Sequence, residues 1–116
     1  MIQNGRLPHI AYVSTYVPKK CGLATYTHHL RNAIASAKGA AEPDPVVAMC
    51  RDEELGDYSS PLIWPLNKSD PDEYRKLAEQ INGSSVDIVS LQHEFGIFGG
   101  EAGRYVLDLL EHVRKP

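Results

Sequence analysis

Short apolar segments alternate with segments of helical periodicity along this 116-residue chain, and this alternation constrains the fold more than any other feature. The apolar segments are rich in aliphatic, β-branched and aromatic residues, which is typical of buried strands. They are residues 9–15, 46–50, 61–66 and 86–92. The segments with apolar residues at three- and four-residue steps are about 23–37, 70–82 and a last one that ends near 114. Strands alternating with helices predict an α/β fold, Rossmann-like, with a mostly parallel sheet and helices on both faces.

The helix that begins at Asp70 has the strongest start signal. Asp70 can cap it, Pro71 stands at the first helical position, and Glu73 completes a predicted Asp-x-x-Glu capping box. The polar segment 51–60 is predicted as a connection, and it is so short for a parallel crossover that the pairing of the second and third strands stays open. The predicted apolar face of the last helix comprises Ala102, Val106, Leu109, Leu110 and Val113.

The charge balance is mildly acidic, with 12 Lys and Arg residues against 15 Asp and Glu, a formal net charge of −3. Hydrophobic residues make up 42% of the chain, which is ordinary for a globular protein and excludes a disordered chain. Because a strong basic field is missing from this composition, we expect no nucleic-acid partner.

Two cysteines, Cys21 and Cys50, are too few for a disulfide framework and form no metal-ligand motif with the histidines. We therefore expect a reduced, cytoplasmic protein without a bound metal. The apolar runs are also too short for a transmembrane segment.

The candidate site follows from the expected winding of the sheet. If the first three strands run one way and the fourth returns beside the first, the loops after strands one and four bound a crevice at the switch point. These loops are 16–22 and 93–103, and both are poorly explained by packing. We expect Lys20, Gly22, His93 and Glu94 to converge there.

The first loop places Lys19 and Lys20 just before a helix that opens at Gly22, where free backbone N–H groups favour an anion. A solvated turn is the alternative. Cys21 at the same helix start is interpreted as a small packing residue, because no base partner for a nucleophile is identifiable.

The second loop is rich in glycine, but its spacing is neither a dinucleotide fingerprint nor a phosphate-binding loop. An NAD-dependent enzyme is therefore disfavoured. His93 and Glu94 at its start can hydrogen-bond hydroxyl groups, and Phe95 adds apolar contact surface.

Two segments, IAYVSTYVPKKCGLATYTHHL and VDIVSLQHEFGIFGGEAGRYVLDLL, resemble the amino-terminal part of retaining GT-B type glycosyltransferases (group 1, family 4-like). The QHEFGIFGG motif narrows the resemblance to a bacterial or archaeal branch. The resemblance implies an enzyme with two facing Rossmann-like domains. That enzyme would transfer a sugar from a nucleotide-sugar donor to a sugar or glycan acceptor, with retention and without a metal or other cofactor.

The same resemblance implies roles for individual residues. Cys21 and Gly22 match the glycine loop near the donor diphosphate, and His93 and Glu94 match the strand-end pair that faces the sugar and acceptor, with His93 as the candidate catalytic residue. The full predicted substrate-binding set is Lys19, Lys20, Cys21, Gly22, Gln92, Glu94, Phe95, Gly99 and Gly100.

Residues 1–116 would then form part of the amino-terminal domain, with the donor-binding domain lying beyond Pro116. On this interpretation the fragment is inactive alone. Its last helix is underpacked, and it self-associates through the fourth strand or that helix. The alternative is a stand-alone Rossmann-like module that binds a small anion or a partner without catalysis.

Overall fold

The computed structural model describes residues 7–94 and 96–116 and shows a four-stranded parallel sheet flanked by helices. The strands are β1 (Ile10–Ser14), β2 (Val46–Cys50), β3 (Ile63–Asn67) and β4 (Ile88–Leu91). The α-helices are α1 (Gly22–Lys38), α2 (Pro71–Asn82) and α3 (Val106–His112), and short 3-10 helices span Asp52–Asp57 and Glu101–Gly103. The predicted α/β, Rossmann-like class is confirmed.

The strand order β3-β2-β1-β4 is the order that the winding argument requires. β1 lies between β2 and β4, with Tyr12 beside Val46 on one side and Ser90 on the other. The pairing that the sequence left open, β2 with β3, is parallel and extends from Val46 beside Ile63 to the carboxyl end of both strands. The carboxyl ends of all four strands therefore lie along one edge.

Alternate residues of the strands pack on opposite faces of the sheet. Val13, Val47 and Met49 are buried in the larger core, which includes the apolar face of α2 and two residues of α3. Tyr12 and Ala48 are buried on the other face, where Leu30 and Ile34 of α1 pack against them. The central strands thus have helices on both faces, which is why their sequences are apolar at nearly every position.

The start of α2 departs from the predicted capping box. The Asp70 side chain accepts from the Asp72 N–H at 3.1 Å, as a cap should. The Glu73 carboxylate instead accepts from the backbone N–H of Asn67 at 3.0 Å. The capping box is therefore wrong in its second half, because Glu73 ties α2 to the end of β3.

The last helix is shorter than predicted. Gly100 and Gly103 have φ angles of 83° and 77°, and Ala102 between them has φ of 54°, so the backbone cannot continue as one helix through this segment. Ala102 is consequently exposed and does not belong to the helical face. Of the predicted face, Val106 and Leu109 are buried at 7% and 1% exposure, so the expectation that they are underpacked is wrong. Leu110 is 55% exposed, so it agrees with that expectation, and Val113 is half-buried against the larger core.

The outer edge of β4 is contacted by the chain itself. The backbone N–H of Val89 donates to the carbonyl of Pro116 at 2.7 Å. Lys115 lies beside it and donates from Nζ to the carbonyls of Ser84 and Val86, at 2.8 and 2.6 Å. These contacts cover part of the strand edge through which self-association was predicted, and that association stays a prediction.

Candidate functional site

A cleft of about 210 Å³ opens at the carboxyl edge of the sheet and takes side chains from the connections after all four strands. The polar residues at its wall include Lys19, Cys21, Arg51, Glu54, Lys68 and Glu94. An adjoining depression of about 480 Å³ is lined by Lys20, Asp57 and Tyr58 and shares Lys19, Arg51 and Glu54 with the cleft. The cleft lies at the edge of the sheet where the switch-point argument places the site.

Glu54 links the connections that follow β1 and β2. Its Oε1 accepts from the backbone N–H of Arg51 at 2.8 Å, and its Oε2 lies 3.4 Å from Lys19 Nζ. The Arg51 guanidinium is a second cationic neighbour, with Nε at 3.4 Å from Oε1. The hydrogen bond from the Arg51 backbone is the main cause that holds the pKa of Glu54 below its ordinary value, with smaller help from the Arg51 and Lys19 side chains.

Lys68 joins the end of β3 to the loop after β4. Its Nζ donates to the carbonyl of Gly96 at 2.9 Å. The Tyr74 hydroxyl donates to the Lys68 carbonyl at 2.7 Å and accepts from the Gly99 N–H at 2.9 Å. Burial raises the pKa of Tyr74 to about 12, so this hydroxyl remains a donor across the physiological range. The Tyr74 hydroxyl therefore links Lys68, at the wall of the cleft, to the loop that follows β4.

Gly99 and Gly100 serve this packing and do not line the cleft. A Cβ on Gly99 would lie 1.8 Å from the Lys68 carbonyl oxygen, and one on Gly100 would lie 2.7 Å from the Tyr105 ring. Glycine is required at both positions because neighbouring protein atoms occupy the space of a side chain. The structure therefore gives a packing reason for these two predicted ligand contacts.

The two cysteines have structural partners. Cys21 caps α1 through its Sγ, which accepts from the Ala24 N–H at 3.4 Å and lies 3.2 Å from Thr15 Oγ1. Cys50 is buried, and burial raises the pKa of its thiol to about 11. These contacts agree with the interpretation of Cys21 as a packing residue.

The residues after β4 only partly converge on the cleft. Glu94 lines it, but His93 is exposed outside the lining, with its ring centroid 5.7 Å from that of Phe98. Gln92 turns back to the sheet and donates from Nε2 to Ser90 Oγ at 3.3 Å. Phe95 lies outside the described residues.

The predicted site residues before α1 also lie in different places. Lys19 and Cys21 line the cleft, whereas Lys20 lines the adjoining depression and Gly22 is exposed as the first residue of α1. The four residues expected to converge, Lys20, Gly22, His93 and Glu94, thus do not all reach one cleft.

Sequence reasoning missed Arg51, Glu54 and Lys68. Each follows the carboxyl end of β2 or β3, and the rule that selected the other two loops applies to every strand of a parallel sheet. For Arg51 and Lys68, which directly follow the ends of β2 and β3, that signal was present in the sequence, but only the loops after the first and fourth strands were considered.

Residues 7–94 and 96–116 contain no group of three or more His, Cys, Asp and Glu side chains arranged to hold a metal ion. The helices in this part of the chain are also too short or too polar to cross a membrane.

A comparison with protein families identifies the family of this chain. A family model described as the arginyl tRNA synthetase N terminal domain matches residues 24–87, which is 64 of the 116 residues. The match runs from the first turn of α1 through β2, β3 and α2 and ends just before β4. The chain belongs to this family of synthetase-associated domains. No curated protein and no solved structure matched significantly.

The family match corrects the predicted identity. The assignments as a glycosyltransferase, as a nucleotide-sugar-dependent enzyme and as a partner of glycans are wrong, because the matched family is a tRNA synthetase domain. The expected absence of a nucleic-acid partner is contradicted by the same match. The alternative, a stand-alone small-anion module, gains no support from it. The roles inferred from the glycosyltransferase resemblance, including catalysis by His93, lose their basis.

Proposed function

We propose that this chain is a tRNA-contacting domain and that the carboxyl edge of its sheet contacts the phosphate backbone. The family match supports the nucleic-acid partner. The observation that supports the location is a group of four cationic side chains around the cleft and the adjoining depression, namely Lys19, Lys20, Arg51 and Lys68.

A net charge of −3 does not oppose this proposal, because affinity for a polyanion depends on where the cations lie. Cationic side chains from the connections after three different strands meet at this edge, and α1 directs its first backbone N–H groups from the same edge. The carboxylates of Glu54, Asp57 and Glu94 lie among them, so the edge is mixed in charge. We therefore expect modest affinity that falls steeply as salt increases.

The experiment is a titration of a fluorescently labelled tRNA transcript with the purified chain, followed by anisotropy at several salt concentrations. Lys20→Ala and Arg51→Ala should each weaken binding. Each should also lower the salt slope by about 0.7–0.9, the value expected for one lost phosphate contact.

The matched control is Lys76→Ala, which removes an exposed cation from α2 and leaves the carboxyl edge unchanged. The control should bind tRNA as the wild type does. The proposal is wrong if the wild type binds no tRNA, or if Lys76→Ala weakens binding as much as the two edge variants.

The expectations about cellular location, cofactors and domain boundaries are part of this proposal. A cytoplasmic location agrees with a tRNA synthetase domain and with two free cysteines. The absence of a required cofactor or metal, and the interpretation of residues 1–116 as part of a larger domain, stay predictions.

A further inference from the structure

We infer that Glu54 occupies the position where a phosphate group of the ligand binds, so that binding requires the ligand to displace this carboxylate. This inference rests on the proposed function, because it concerns the same edge of the sheet. It adds an internal competitor to the site, and it predicts that removing the charge of Glu54 strengthens binding.

The contacts of Glu54 are those expected of a bound oxyanion. Lys19, from the connection after β1, and Arg51, directly after β2, approach the same carboxylate at 3.4 Å. The side chain of Glu54 is 17% exposed, whereas those of Lys19 and Arg51 are 31% and 57% exposed. Glu54 is therefore the least exposed of the three side chains.

Phosphate and carboxylate use the same donors. Lysine and arginine bind either group through charge-assisted hydrogen bonds, and arginine matches the geometry of both. Lys19, Arg51 and Glu54 are also the residues shared by the cleft and the adjoining depression. A phosphate that enters either space therefore comes into reach of this ion-pair cluster.

The exchange conserves the contacts of the two cations. When a phosphate oxygen replaces Glu54, Lys19 and Arg51 keep an anionic partner, and the released carboxylate turns toward solvent. Two effects make the exchange unfavourable. Glu54 loses its 2.8 Å hydrogen bond from the Arg51 N–H, and its charge repels the arriving phosphate. Glu54 thus lowers the affinity for phosphate but does not prevent phosphate from binding.

The decisive variant is Glu54→Gln. Glutamine retains a carbonyl oxygen that can accept from the Arg51 N–H, so the local backbone is preserved while the charge is lost. The matched control is Glu53→Gln. Glu53 loses the same charge and lies 3.3 Å from Arg51 Nε, but its side chain is 66% exposed and lies outside the lining of both spaces.

Two probes separate this inference from the proposed function: inorganic pyrophosphate, followed by calorimetry, and the tRNA transcript, followed by anisotropy. Glu54→Gln should tighten pyrophosphate binding about two- to fivefold, the range expected when a charge is removed from a partly exposed ion-pair cluster. Glu53→Gln should change it by less than half as much. In a Lys19→Met background the gain from Glu54→Gln should shrink, because one of the two released cations is missing.

The outcomes are distinguishable. If Glu54→Gln has no effect, weakens pyrophosphate binding or matches Glu53→Gln, Glu54 is not the competitor and the inference is wrong. If Glu54→Gln tightens pyrophosphate binding but the wild type binds no tRNA, the proposed function fails and the inference about the phosphate position stands. Equal melting temperatures of the two variants exclude a folding effect.

Discussion

Lys38 Nζ lies 2.6 Å from Asp44 Oδ2, and this ion pair ties the end of α1 to the residues that precede β2. Both side chains are largely removed from solvent. The same carboxylate accepts from the Ile10 N–H at 3.1 Å and lies 2.9 Å from His9 Nδ1. The amino end of the sheet is therefore organised around one buried carboxylate, at the opposite edge from the candidate site.

Replacing Asp44 by alanine should be strongly destabilising. The change removes the anionic partner of Lys38, whose ammonium keeps only a neutral contact with the Pro8 carbonyl, and it leaves the N–H of Ile10 without its carboxylate acceptor in a poorly solvated place. Breaking a buried pair by removing one partner costs about 3–5 kcal/mol. Urea denaturation of the variant should show a loss of this size in the free energy of unfolding.

The control for that measurement is Glu42→Ala, two residues away at an exposed position. Its free energy of unfolding should stay within about 0.5 kcal/mol of the wild type. A comparable loss in both variants would contradict the special role of the Asp44 carboxylate.

The pH dependence of stability should reflect the ionisation of the Asp44 carboxylate. Burial alone raises the pKa of Asp44, but the hydrogen bonds from Lys38, His9 and Ile10 outweigh it and leave the pKa below its ordinary value of 3.8. The unfolded chain therefore binds the proton more readily than the folded chain. The stabilisation is fully present above pH 3.8 and is lost as the pH falls through the lower, folded value.

Urea denaturation of the wild type and Asp44→Asn at neutral and acidic pH checks this sign. The difference in free energy of unfolding between the two proteins should be largest at neutral pH and should shrink below about pH 4. A difference that grows on acidification would mean that the folded chain raises the pKa of Asp44.

The fold was predictable because its signals are local and repeated. Each strand is a short apolar run, and α1 and α2 show helical spacing. Once these elements were assigned, the winding rule predicted that β4 lies beside β1, as the structure shows. The predicted face of the last helix was wrong at its start, because positive φ angles at Gly100, Ala102 and Gly103 keep Ala102 outside the helix. The two glycines permit such angles and are visible in the sequence, whereas the positive φ of Ala102, a non-glycine residue, has no signal there.

The candidate site was predictable in its position but not in its membership. The strand-end rule found the edge, whereas the glycines of the second loop suggested ligand contact that the packing around Tyr74 and Tyr105 explains instead. Glu54 escaped because its importance lies in where its side chain meets Lys19, 35 residues away. A spacing of that length carries no pattern, so only the folded chain brings the two together.

Substituting Gly99 by alanine should destabilise the wall of the cleft. The added Cβ would lie 1.8 Å from the Lys68 carbonyl oxygen, so the backbone of one segment must move. Overpacking of this kind costs about 1–3 kcal/mol. Thermal denaturation should show the loss as a lower melting temperature.

Gly56→Ala is the matched control, because a Cβ at Gly56 would meet nothing within 4 Å. That variant should melt within a few degrees of the wild type, or slightly above it, since alanine restricts the unfolded chain. Equal losses in the two variants would show that the contact between Gly99 and Lys68 is not tight in solution.

The two cysteines should differ sharply in reactivity. Cys21 is half-buried at the wall of the cleft, whereas Cys50 is buried and its thiol pKa is raised to about 11, chiefly by burial. Because the thiolate is the reactive form, Cys50 should resist alkylation at neutral pH while Cys21 is modified. Iodoacetamide labelling followed by mass spectrometry of the peptides measures both rates in one sample.

In urea the two rates should become equal, since unfolding removes the burial that protects Cys50. Faster labelling of Cys50 than of Cys21 in the native protein would contradict the packing of β2 against β3 at this end of the sheet.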